Sequence, residues 1–215
     1  MMRSKINLKP NQTIVFTGDS ITDVFKGSPA YQPFGFGYVH FVANFLLAKY
    51  PRFNLNIVNT GVSGNTIRNL KARWQKDCIG HKPDILSVLI GINDLWRRHA
   101  GPERLPEAVC PDEYELTHKQ LLLEAKQKCN CQLVLMEPFM FCSDPENLMF
   151  IELRTYIQIV RNLARQFDAL LVPLQKMIDE QIHEVPPEKW SLDFVHPYLW
   201  AHAWIAQRWL EVTGL

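Results

Sequence analysis

Apolar residues fall along this chain in two alternating patterns, short unbroken runs and longer stretches with helical spacing. Thr13-Ile14-Val15-Phe16, Leu55-Asn56-Ile57-Val58-Asn59, Asp84-Ile85-Leu86-Ser87-Val88-Leu89-Ile90, Gln132-Leu133-Val134-Leu135-Met136 and Ala169-Leu170-Leu171-Val172 have the length and side-chain character of strands. The third is apolar almost throughout, as parallel strands covered on both faces are. Between these runs, Tyr38, Phe41, Val42, Phe45 and Leu46 recur at helical spacing before Pro51. Ile67, Leu70 and Trp74 mark a second helix, and Tyr114, His118, Leu121, Leu122, Ala125 and Cys129 a third. Leu153, Tyr156, Ile157, Val160, Leu163, Ala164 and Phe167 form one stripe within residues 145–167. A further helix is expected within residues 174–183, and a last one carries Leu199, Ala203, Ala206 and Leu210. This alternation predicts one domain over residues 1–215, a three-layer α/β/α sandwich on a five-stranded, mainly parallel sheet.

The strand ends change the picture from fold to chemistry. Three successive strands run into glycine turns that carry polar groups: Gly18-Asp19-Ser20, Thr60-Gly61-Val62-Ser63-Gly64-Asn65-Thr66 and Gly91-Ile92-Asn93-Asp94. Ligands of open α/β sheets lie beyond the carboxyl ends of the strands, so Ser20 is a candidate nucleophile. Equally, it could serve as a helix cap. The charged, proline-containing residues 97–111 are expected to form an irregular loop at the rim of the site. His40 is expected at a surface or boundary, and His118 at a helix edge.

A serine hydroxyl needs a base, a partner that orients the base, and donors for the oxyanion. Asp193 and His196 lie just before the last helix, with Pro197 suited to its first turn. A carboxylate three residues before an imidazole can accept the Nδ1 proton and leave Nε2 free to act. Such a pair can also be a plain surface pair. The Ser20 amide, a glycine amide of the second turn and the Asn93 side chain are candidate oxyanion donors. Against this, the glycines could merely permit positive φ, and Asn93 could make only a local turn hydrogen bond.

Composition narrows the partners. Lys and Arg total 23 against 22 Asp and Glu, so no field favours nucleic acid or an anionic membrane. Cys78, Cys110, Cys129, Cys131 and Cys142 are odd in number and lack C-x-x-C spacing, which argues against a disulfide framework and a zinc site. The first ten residues contain no apolar stretch of the signal-peptide kind, and a cytoplasmic protein is expected. The six Trp and twelve Phe leave aromatic surface for a sugar or a subunit, and self-association is expected.

Gly18-Asp19-Ser20-Ile21, Gly64-Asn65-Thr66, Gly91-Ile92-Asn93-Asp94 and Asp193-x-x-His196 resemble, in order, the four blocks of the SGNH hydrolases, also called GDSL esterases/lipases. The similarity spans nearly the whole chain and is greatest to the branch that includes bacterial intracellular acetylxylan esterases. Gly37-Tyr38-Val39, the run from Gly64 to Trp74, and the run from Ile90 to Trp96 carry it. The resemblance implies a flavodoxin-like sheet and a serine esterase without a cofactor or metal. Ser20 resembles the nucleophile and first oxyanion donor, Gly64 the second donor, Asn93 the third, His196 the base and Asp193 its orienting acid. Gly61 is expected to shape the turn. The implied substrate is an acetyl or other short-chain acyl ester on carbohydrate, such as an acetylated xylo-oligosaccharide. A lysophospholipase or thioesterase is an alternative within the same chemistry, and a non-catalytic glycan-binding module an alternative outside it. The chain departs from the branch at residues 24–35 and 97–111, which flank the expected site.

Overall fold

The computed structural model describes residues 5–215; residues 1–4, with which the expected domain begins, lie outside the described residues. Strands β1 (Thr13–Gly18), β2 (Asn56–Asn59), β3 (Ile85–Leu89), β4 (Gln132–Met136) and β5 (Leu170–Val172) form one sheet in the order β2-β1-β3-β4-β5, and every pairing is parallel. All five residues of β3, the middle strand, are buried, which explains its unbroken apolar run. Its one polar residue, Ser87, is satisfied in the interior, where Trp209 Nε1 donates to Ser87 Oγ at 3.0 Å.

The helices are α1 (Ser20–Asp23), α2 (Tyr38–Lys49), α3 (Ile67–Asp77), α4 (Ile92–His99), α5 (Pro111–Cys129), α6 (Leu148–Gln166), α7 (Leu174–Ile182), α8 (Pro187–Trp190) and α9 (Leu199–Thr213). Helix α2 packs on α9, while α3, α5 and α6 pack in succession as a separate group. The chain moves one way along the sheet from β1 to β2 and the other way from β2 to β3. Right-handed crossovers in opposite directions put α2 and α3 on opposite faces. A crevice therefore opens beyond the carboxyl ends of β1 and β3, where the strand order reverses.

Several local expectations are corrected. Only Gly91 turns after β3; Ile92, Asn93 and Asp94 already begin α4, because Ile92 and Leu95 bury one face of a helix. That helix also takes in Arg97, Arg98 and His99 from the segment expected to be irregular, and basic residues suit a helix carboxyl end. A 3₁₀ turn at Leu105–Glu107 interrupts the remainder. His118 is not at an edge but 2% exposed, edge-on to the Tyr114 ring, with neither ring nitrogen hydrogen-bonded. Burial pushes its pKa down to about 4, so it stays neutral. Among the described residues, no helix is long and apolar enough to cross a membrane.

Candidate active site

Ser20 opens the single turn α1 immediately after β1. The capping role belongs to Asp19, whose Oδ1 accepts from the Ile21 amide at 3.1 Å, so the Ser20 side chain is free for another partner. That partner is His196: Ser20 Oγ and His196 Nε2 are 2.9 Å apart. On the other side of the ring, His196 Nδ1 lies 2.6 Å from Asp193 Oδ2. Asp193 Oδ1 accepts from the His196 amide at 2.8 Å, the Val195 amide at 3.0 Å and Ser191 Oγ at 3.0 Å. Partial burial raises the Asp193 pKa, but the bonds from the His196 ring, the His196 amide and the Val195 amide outweigh it and hold the carboxyl at about 2.

The loop that carries this pair is pinned at its neck. Ser191 and Pro197 form an antiparallel bridge, the Tyr198 amide donates to the Trp190 carbonyl at 2.8 Å, and the Phe141 amide donates to the Phe194 carbonyl at 2.8 Å. Buried Trp190 stacks on Phe141 beneath it, with ring centroids 5.3 Å apart. Asp193 and His196 can remain half exposed because the loop beneath them is fixed by backbone bonds and ring packing.

The three turns converge through a few side chains. Arg73 on α3 donates to the Gly18 carbonyl (2.9 Å), the Thr60 carbonyl (2.5 Å) and Asn65 Oδ1 (2.7 Å), tying the end of β1 to the turn after β2. Asp23 Oδ2 accepts from both the amide (3.0 Å) and the hydroxyl (2.8 Å) of Ser63. Gly64 sits at φ +76°, a conformation suited to glycine, and its carbonyl accepts from Arg97 Nη2 at 3.0 Å. Asn93 Nδ2 donates one proton to the Asn65 carbonyl at 3.2 Å, leaving the other for the crevice. Gly18 has a different constraint: a Cβ there would come within 2.1 Å of the Leu89 carbonyl oxygen on the neighbouring strand.

Ser20, Gly64, Asn93 and His196 line one cavity of about 720 Å³. All five site residues expected from the sequence are thus brought together, Asp193 standing behind His196. Sequence reasoning missed other members of the wall: Trp96, whose ring lies 5.8 Å from that of His196, and Arg97, Arg104 and His202. Residues 97–111 had signalled a rim, without saying which side chains face it. His202 is 5% exposed with Nδ1 unpartnered; burial first, and then the field of His196, lower its pKa to about 4. Asp19 and Asp94 were quoted only as motif letters. Both are buried with one oxygen unpartnered, and desolvation raises each to about 7.

A hydroxyl, an imidazole and a carboxylate in hydrogen-bonded series, at the switch point of a parallel sheet, define a serine-hydrolase arrangement. The sequence model of the GDSL-like lipase/acylhydrolase family matches residues 16–204, and the chain belongs to that family. It is therefore a carboxylic ester hydrolase on an SGNH fold. An acetylxylan esterase of Geobacillus stearothermophilus is 36% identical over 207 residues, covering 94% of each chain. The crystal structure of Axe2, an acetylxylan esterase from that organism, superposes with a TM-score of 0.91 at 35% identity, covering 98% of this chain and 97% of the other. LAE5, described as an α/β hydrolase from the metagenome of Lake Arreo, Spain, gives a TM-score of 0.89 at 35% identity, covering 96% and 97%.

Proposed function

We propose that this protein, as a single hydrolase domain, removes acetyl or other short acyl groups from an acetylated oligosaccharide of the xylo-oligosaccharide kind, with Ser20, His196 and Asp193 as its catalytic triad. The observation that carries the reading is the continuous series Asp193 Oδ2, His196 Nδ1, His196 Nε2 and Ser20 Oγ, at 2.6 and 2.9 Å. The nearly full-length similarity to an acetylxylan esterase supports the substrate class.

In the first half-reaction, Ser20 Oγ attacks the ester carbonyl carbon as His196 Nε2 takes the hydroxyl proton. The carbonyl oxygen becomes an oxyanion held by the Ser20 amide, the Gly64 amide and the Asn93 side-chain amide. Collapse breaks the bond to the sugar oxygen, which leaves with the proton from His196, and an acetyl-serine remains. Water then gives one proton to His196 Nε2 and attacks the acyl carbon. A second collapse returns that proton to Ser20 Oγ and releases the acid. Asp193 stays ionised throughout, which keeps the Nδ1 proton in place and stabilises the imidazolium.

The same reading places the enzyme in the cytoplasm, supported by five unpaired cysteines. It also includes self-association, supported by the exposed Leu192, Phe194, Leu199 and Trp200. Light scattering checks the latter.

The test of function is the initial rate on acetylated xylo-oligosaccharides, p-nitrophenyl acetate and p-nitrophenyl octanoate, for the wild type and Ser20→Ala. The expected result is turnover of the acetyl esters, reduced by at least about 10⁴-fold in Ser20→Ala. Unchanged rates in the variant would remove Ser20 from the mechanism. A preference for octanoate would move the substrate to the lipid or thioester class.

A further inference from the structure

The cavity wall has an unbalanced charge. Among the described residues that line it are two guanidinium groups, those of Arg97 and Arg104, and no carboxylate. An acid that meets both lies outside the lining: Glu107 Oε2 is 3.2 Å from Arg97 Nε and 3.2 Å from Arg104 Nη2. The Arg97 contact falls outside hydrogen-bond geometry, leaving Arg97 Nε buried without a hydrogen-bond acceptor. Among the described residues, neither of the other nearby carboxylates forms an ion pair with Arg97 or Arg104. Glu152 lies 3.7 Å from Arg98 Nε and 3.5 Å from His99 Nε2, and the Glu103 carboxylate lies against Gly101. His202, on the same wall, is held neutral by burial. Among the described residues, two fixed positive charges thus share one half-exposed carboxylate, which leaves one positive charge at the mouth in excess.

The two arginines differ in depth. Arg97 has a side chain 19% exposed and is tied by Nη2 to the Gly64 carbonyl, beside the reacting groups. Arg104 is 38% exposed and stands at the rim. On the reading of this cavity as an esterase site, the acyl carbon must reach Ser20 Oγ near buried Asn93. A charged group met at the rim then belongs to the alcohol portion of the ester. Planar guanidinium groups bind planar carboxylates with two parallel hydrogen bonds.

We propose that Arg104, seconded by Arg97, forms a carboxylate-binding subsite at the mouth of the cavity, so that the preferred substrate is an acetylated oligosaccharide carrying a uronic acid unit. The subsite sets substrate choice and adds nothing to the bond-making steps. This inference rests on the esterase reading and can fail independently of it.

The test measures kcat/KM on two acetylated xylo-oligosaccharides of equal length, one with a uronic acid branch and one neutral. Wild type, Arg104→Gln and Arg104→Lys are compared at low and high salt, with p-nitrophenyl acetate turnover by the wild type as the check on ester chemistry. The expected acidic-to-neutral ratio is about five- to tenfold in the wild type at low salt, as for a partly exposed charge-assisted pair. It falls towards one in Arg104→Gln, is partly kept in Arg104→Lys, and shrinks in high salt. A wild-type ratio of one or below, or the same ratio in Arg104→Gln, would overturn the subsite while p-nitrophenyl acetate turnover leaves the esterase reading standing. Failure to turn over any acetyl ester would overturn that reading and the subsite with it.

Discussion

The two carboxyl groups nearest the reacting pair, Asp19 beside Ser20 and Asp193 beside His196, occupy opposite environments. Each accepts backbone amide bonds, yet Asp19 is pushed up to about 7 while Asp193 is held at about 2. Asp19 is 1% exposed, accepts the Ile21 amide on one oxygen and leaves the other buried and unpartnered. Asp193 has a side chain 42% exposed, accepts three donors on one oxygen and faces an imidazole nitrogen with the other. Access to water and the number of donors decide which carboxyl stays ionised; nearness to the chemistry does not. The chain uses one as a cap that gains and loses its proton around neutral pH and the other as a permanent anion.

The largest effect that tests this contrast is on rate. Asp193→Asn is expected to lower kcat by about 10³–10⁴-fold, because an amide can hold His196 in the wrong tautomer and cannot stabilise an imidazolium. Retained kcat with p-nitrophenyl acetate would break the assignment. Next comes the neutral donor opposite the triad: Asn93→Ala is expected to lower kcat by about 10²–10³-fold with a smaller change in KM. A loss confined to KM would mean that Asn93 holds the ground state and the transition state equally and is no oxyanion donor.

The smallest effect, and the sharpest test of the comparison itself, is the pH dependence of stability. Asp19 titrates at about 7 when folded against an ordinary 3.8, so the stability its proton brings is full below about pH 4 and lost as the pH rises through 7. Asp193, at about 2, contributes stability above about pH 4 that is lost as the pH falls towards 2. The melting temperature of the wild type minus that of Asp19→Asn should therefore fall from pH 4 to 7. The corresponding difference for Asp193→Asn should fall from pH 4 to 2. His118 and His202 titrate in all these proteins and drop out of the differences. Parallel slopes for the two variants would contradict the contrast.

Much of the fold was legible because each element's burial shows in its own residues. The apolar runs coincide with the five strands to within a residue or two, since the buried positions of parallel strands are almost all apolar and polar residues such as Asn56 and Gln132 fall at strand ends. Helix α4 was missed because Arg97, Arg98 and His99 look like loop residues until Ile92 and Leu95 are seen to be buried on its other side. His118 was misplaced because a histidine within a helical stripe says nothing about whether the packing leaves it a partner.

Ser20 and Asn93 could be named from sequence because each opens a helix just after a strand, and Gly64 because it lies in the turn after β2; Asp193 and His196, in the loop between α8 and α9, were legible only through their three-residue spacing and the order of the four blocks. The convergence of Ser20, Gly64, Asn93 and His196 on one cavity, the clamp of Arg73 on two turns and the unequal states of Asp19 and Asp193 depend on residues tens of positions apart. The chain by itself determined which elements form and which side chains stand at their ends, because propensity and burial pattern are local. Only the tertiary structure decided depth, distance and charge balance, down to the single glutamate shared by Arg97 and Arg104, because desolvation and Coulomb energy depend on what the rest of the chain places around each group.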